Sequence, residues 1–157
     1  MLTETSQAGQ HTLRVRLSHP EVWTTIYALS RKPASAGTSA ADPKVKHIST
    51  DLLAGVNSIR SAMASDGVKD VDHNFFTAHK ENSDEGLWSG QKEMWDENGK
   101  MFEDFLIVFE RLQKGRRKRV VLQTGSKHYG HFGEVLAPCR EEDPRLDDGP
   151  YAETLSF

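Results

Sequence analysis

Apolar residues divide the chain into short β-type runs, helical stretches and loops marked by Gly and Pro. Glu21 to Leu29 reads as a turn entering a strand at about Thr24 to Leu29, and Val45-Lys-His-Ile-Ser alternates as a second strand. Asp51 is placed to cap a helix that carries Leu52, Val56, Ile59 and Met63 at helical spacing, with Asp66-Gly67 as its stop. Val71 to Ala78 predicts another strand. From Glu97 to Leu112, Met101, Phe105 and Phe109 recur every fourth residue, and Phe102, Leu106 and Leu112 widen that stripe enough to cover one face of a sheet. Val120-Val121-Leu122 predicts a last buried strand that opens into a polar, Gly-punctuated loop.

The two ends read differently. Met1 to Gln10 is polar and small, so residues 1–12 are expected to be a loose N-terminal arm, and residues 147–157 an irregular tail. In His11 to Ser18, Leu13, Val15 and Leu17 alternate with polar neighbours, which is the strand pattern. Ala34 to Pro43, rich in Ala, Ser, Gly and Thr, predicts a surface loop. The order strand, strand, helix, strand, helix, strand is that of a doubly wound parallel sheet entered at its second strand. The fold class expected is therefore α/β, a truncated Rossmann-type domain over 1–157 without the usual first strand and Gly-rich turn. No G-x-G-x-x-G occurs. The Leu13, Val15, Leu17 alternation is one way to refill the resulting gap.

Composition narrows the class further. The 157 residues carry a formal net charge of -3 and are 36% apolar, a balance that argues against nucleic acid or membrane as the main partner. No run approaches the roughly 18 apolar residues of a membrane span. Met1-Leu-Thr-Glu-Thr-Ser lacks the basic and apolar regions of a secretory signal, and a cytoplasmic location is expected. Cys139 is the single cysteine and suits a reducing compartment. The basic run Lys114-Gly115-Arg-Arg-Lys-Arg119 could bind a polyanion or simply complement a helix C-terminus; the absence of interleaved aromatics weakens nucleic-acid binding. His128 and His131 have a spacing two metal ligands could share, but no third ligand is indicated, and no metal is expected.

Candidate chemistry gathers at strand ends. Arg31 and Lys32 directly follow a strand of a nucleotide-binding type of sheet, where guanidinium can grip a phosphate bidentately and ammonium adds a point charge. After the last strand comes Gln123-Thr124-Gly125-Ser126-Lys127-His128-Tyr129-Gly130, with Glu141-Glu-Asp-Pro-Arg-Leu146 further on. These two segments resemble the progesterone 5β-reductase and iridoid synthase-like reductases, an atypical short-chain dehydrogenase family, and the resemblance extends from about Leu17 to Leu146.

The resemblance implies an NADPH-dependent reductase of enone carbon–carbon double bonds, with a small-molecule enone as substrate. It implies Lys127 as a catalytic residue, Arg31 and Lys32 at the adenosine 2′-phosphate, Asp51 and Leu52 beside the adenine, Thr77 and Ala78 beside the ribose, and Thr124 in the cofactor site. For Asp51 the helix cap remains an equal reading. The resemblance also implies the end of a helix, against the alternation, at His11 to Ser18. A family tyrosine from a downstream Asn-Phe-Tyr-Tyr motif has no counterpart in Gly149 to Phe157, and neither Tyr129 nor Tyr151 inherits its role. With incomplete motifs, weak or absent activity is expected from this chain alone. Two alternatives stand beside the reductase: a non-catalytic protein that associates with a homo-oligomeric or other partner chain through an exposed sheet edge, and an incomplete gene product.

Overall fold

Among the described residues, five short parallel strands form one sheet in the spatial order β3 (Val45–Ser49), β2 (Ile26–Ser30), β1 (Leu2–Thr3), β4 (His73–Phe76) and β5 (Arg119–Leu122). The computed structural model describes residues 2–3, 7–32, 42–80, 91–112 and 119–123. The elements are β1 (Leu2–Thr3), α1 (Gln7–Leu17), β2 (Ile26–Ser30), β3 (Val45–Ser49), a 3₁₀ turn (Leu52–Ala54), α2 (Val56–Ser65), β4 (His73–Phe76), α3 (Gln91–Leu112) and β5 (Arg119–Leu122). Two compact units divide the chain: Met1–His79 with Gly99–Gln123, and Lys80–Asn98 with Thr124–Phe157. The sheet belongs to the first.

Among the strands whose side chains are described, β2 is the best buried because both of its faces are covered, which fits its nearly continuous apolar run. Ile26 packs with Leu13 of α1, and Leu17, Trp23, Val45 and Phe75 close around that pair. On the opposite face Leu29, Ile48 and Phe76 meet Ile59 and Met63 of α2 and Met101, Phe105, Val108 and Phe109 of α3. Successive strand residues point to opposite faces, so the alternation along each strand sorts side chains between these two clusters. The result is a mixed α/β fold with helices on both faces of a parallel sheet, compatible with a Rossmann-like fold.

The N-terminus departs from the sequence expectation. Leu2 and Thr3 pair in parallel with Ala28 and Leu29 of β2, and Leu2 pairs with Phe75 of β4. The first strand is therefore present, at the centre of the sheet, and residues 1–12 include β1 and the first part of α1 rather than a loose arm. Two residues are too few to show a period; they become a strand because parallel partners on both sides satisfy their backbone. The alternating segment is a helix. Leu13 is 1% exposed and Val15 52%, so the face that packs is the i, i+4 pair Leu13 and Leu17, and the period of two is incidental.

The other boundaries follow their local signals. Asp51 Oδ1 accepts from Leu53 N–H at 3.0 Å and caps the 3₁₀ turn, after which Gly55, at φ 85°, redirects the chain into α2. At the far end Gly67 N–H reaches the Ala64 carbonyl and Val68 N–H the Met63 carbonyl, each at 3.0 Å, with Gly67 at φ 67°. These are the paired bonds of a Schellman stop, and buried Val68 supplies its hydrophobic contact. Among the described residues no helix is long and apolar enough to cross a membrane.

Candidate functional site

The carboxyl ends of the strands gather most of the residues singled out from sequence. β2 ends in Ser30, followed by Arg31 and Lys32, both with exposed side chains. Their backbone is held from two strands. Ser30 Oγ donates to the Lys32 carbonyl at 2.5 Å and lies 2.8 Å from His47 Nε2, while Ser49 Oγ reaches the Arg31 carbonyl at a long 3.4 Å. The β2–β3 ladder continues one step beyond the strands through Thr50 N–H and the Ser30 carbonyl, at 3.1 Å. Two cations thus stand in solvent on a turn whose carbonyls are tied down, an arrangement suited to an anionic ligand.

On the neighbouring strand end, Thr50 is buried and its hydroxyl has no hydrogen-bond partner among the described residues. Asp51 is exposed and occupied as a cap, and Leu52 is turned into the main core cluster. At the end of β4, Thr77 is buried and Ala78 packs partly against the same core. Parallel strands lie about 4.8 Å apart, so β2 and β4, with β1 between them, are roughly 10 Å apart. β1 and β4 flank the point where the strand order reverses, which is the crevice that receives ligands in doubly wound sheets. Thr124 and Lys127 lie outside the described residues, as do His128 and His131. Among the described residues no cluster of His, Cys, Asp and Glu could hold a metal ion.

Sequence reasoning missed Ser30 and His47 as parts of this edge. Their tie crosses from β2 to β3, and only the strand register, Ser30 opposite Ser49, places them within reach. It also missed a cavity of about 240 Å³ at the other end of the sheet, lined by Arg16, Trp23, Tyr27, Asp72, His73 and Phe75. There the Arg16 guanidinium lies 4.9 Å from the Trp23 ring centroid and 4.1 Å from that of Phe75. In the second unit, Asn98 Oδ1 accepts from Lys80 N–H at 2.8 Å and Asn98 Nδ2 donates to the Lys80 carbonyl at 3.0 Å, with the Lys80 ammonium paired to Glu97. Asn98 thus fixes the backbone of Lys80.

No known family profile matches the chain. Over 135 residues it is 33% identical to an uncharacterized protein of Schizosaccharomyces pombe, covering 85% of this chain and 31% of that protein. Over another 135-residue alignment it is 30% identical to (S)-8-oxocitronellyl enol synthase of Nepeta cataria, covering 82% of this chain and 32% of the synthase. The chain thus spans about a third of the length of the curated relatives it matches. The second similarity is distant and partial, and it points toward the iridoid synthase-like reductases.

Proposed function

We propose that this chain contributes the nucleotide-binding part of an NADPH-dependent reductase of the short-chain dehydrogenase kind, acting on enone carbon–carbon double bonds. The observation that carries the reading is the placement of Arg31, Lys32, Asp51 and Thr77 at the carboxyl ends of β2, β3 and β4 in a parallel sheet of order 3-2-1-4-5. Ligands of such sheets bind along that edge. The distant similarity to an enol synthase supports the choice of reaction class.

The residues fit one end of the cofactor better than the other. Arg31 can grip a 2′-phosphate with two parallel N–H bonds, and Lys32 adds charge that NADH has no group to meet. Between β1 and α1 the sequence is Glu4-Thr5-Ser6, with Gly9 as the only glycine nearby. That sequence carries a carboxylate and lacks the Gly-rich pattern that lets backbone N–H groups approach a pyrophosphate. Affinity is therefore expected to depend heavily on Arg31 and Lys32.

NADPH, when bound, supplies the hydride for the β-carbon of the enone. By the resemblance, Lys127 would supply an ammonium that favours negative charge, lowering a phenol's pKa and helping to stabilise the developing enolate oxygen. No tyrosine of this chain carries the family pattern for that phenol, and loss of one oxyanion donor costs about 10²- to 10³-fold. Slow or undetectable turnover by this chain alone is the expectation. The test is NADPH consumption with small α,β-unsaturated ketones: a slow rate abolished by Lys127→Ala supports the reading, and consumption indifferent to Lys127→Ala contradicts its catalytic part.

A second reading, association with another chain, is favoured by β5. Val120 and Val121 point to opposite faces yet are 38% and 51% exposed, on the outer strand of the described sheet. An outer strand with apolar side chains open on both faces invites a partner. Concentration-dependent sedimentation abolished by Val121→Lys would support association with a second copy; a monomer at all concentrations would contradict it.

A further inference from the structure

The Arg31–Lys32 turn depends on a proton that can be assigned from geometry. Ser30 Oγ is 2.5 Å from the Lys32 carbonyl oxygen and 2.8 Å from His47 Nε2. A carbonyl has no proton to give, so the hydroxyl must spend its single hydrogen on Lys32. Only lone pairs then remain on Oγ, and the contact with His47 requires the hydrogen to sit on Nε2. A His47 imidazole protonated only at Nδ1 would set two lone pairs against each other. Ser30 is buried and His47 half-buried, so water is poorly placed to substitute for either partner.

We propose that His47 is a positioning residue for the phosphate grip: its Nε2–H, acting through the Ser30 hydroxyl, fixes the Lys32 carbonyl and thereby the turn that aims the Arg31 and Lys32 side chains. The inference rests on the reading of those two cations as ligands of the adenosine 2′-phosphate. Neither Ser30 nor His47 need touch the nucleotide. The tie at the Arg31 carbonyl, 3.4 Å from Ser49 Oγ, is long, so the His47–Ser30–Lys32 chain is the stronger restraint.

Two measurements on the whole chain test it. Imidazole ¹⁵N NMR is expected to find hydrogen on Nε2 of His47, with a signal that shifts in Ser30→Ala; a ring protonated only at Nδ1 would overturn the proposal. In nucleotide titrations, Ser30→Ala and His47→Leu should each weaken NADPH binding about fivefold, the effect of one lost hydrogen bond. NADH binding should not change, and His47→Gln, whose amide can present an N–H at the same place, should recover most of the loss. Equal losses for both nucleotides, or no recovery with Gln, would reduce His47 to a general structural residue and contradict the proposal. An Arg31→Ala variant separates the causes. If it loses NADPH selectivity while His47→Leu keeps it, only the His47 inference fails. If Arg31→Ala changes nothing, or the wild type binds no NADPH, the phosphate reading fails and takes the inference with it.

Discussion

The Lys100 ammonium lies 2.8 and 3.0 Å from the two carboxylate oxygens of Asp104, one turn further along α3. The pair is unequal: the Lys100 side chain is 68% exposed and that of Asp104 6%. Asp104 Oδ2 also lies 3.9 Å from where a Cβ would stand on Gly55, at the start of α2, where the helix dipole favours negative charge. Lys100 therefore tethers a buried carboxylate that lies beside the start of α2.

The hydrogen bond that the Lys100 ammonium donates to Asp104 is the chief cause that raises the Lys100 pKa above the ordinary lysine value of 10.5; desolvation opposes it, and the charges of Asp104 and Glu103 add to it. A raised folded-state pKa stabilises fully below the unfolded value, and the contribution is lost as pH rises through the folded one. Lys100→Met is thus expected to lower stability at neutral pH, and the gap from wild type should close above about 10.5. Denaturant midpoints at the two pH extremes check this. A gap that persists under strongly alkaline conditions would assign the effect to packing.

Asn74 is fully buried on the β4 face that also carries Phe76, and among the described residues neither its amide nitrogen nor its oxygen has a hydrogen-bond partner. Such a group costs about 1–3 kcal/mol in desolvation. Asn74→Val, β-branched and close in volume, should raise stability by about 1–2 kcal/mol. A higher denaturant midpoint at unchanged m-value would show it.

Phe105 is fully buried where α3 meets the sheet, its ring centroid 5.1 Å from that of Phe76. Phe105→Ala removes the apolar contact and leaves a cavity, a change worth roughly 3–5 kcal/mol. Against a typical total of about 5–15 kcal/mol, that would leave the fold marginal. Urea unfolding should show a large fall in midpoint, together with partial unfolding at physiological temperature.

Arg16 presents a sharper contrast. Its guanidinium covers the Trp23 and Phe75 rings, yet its Nε is buried without a hydrogen-bond partner among the described residues. Arg16→Ala should cost about 1–2 kcal/mol through lost stacking and stem packing. Arg16→Met keeps the apolar cover and removes the unpaired donor, so it should stay within about 0.5 kcal/mol of wild type. Thermal melts of both variants at low and high salt would separate packing from charge, because the predicted order does not depend on salt.

How much of this was legible in the sequence varies with the kind of signal. α2, α3 and the strands after Thr24 were readable from runs of apolar residues with the period or composition of each element, but β5, expected to be buried, is exposed at Val120 and Val121. α1 was not, because Leu13, Val15 and Leu17 satisfy an alternating pattern while only Leu13 and Leu17 face inward. β1 was missed because two residues carry no period and owe their strand state to β2 and β4, more than twenty and seventy residues away. In the candidate site, Arg31 and Lys32 could be found from their place after a strand. His47 could not, since its link to the turn runs across the β2–β3 register. Arg16 looked like one more polar residue of an alternating segment, and its stacking on Trp23 and Phe75 depends on the helix that segment forms.

The most direct test of the nucleotide-binding claim is a fluorescence titration of the intact chain with NADPH and NADH, repeated with Arg31→Ala and Lys32→Ala. The predicted result is binding that prefers NADPH, with the preference lost about tenfold in Arg31→Ala, the equivalent of about 1.4 kcal/mol for one charge-assisted phosphate contact. Equal affinity for the two nucleotides, or NADPH binding untouched by either substitution, would contradict the account.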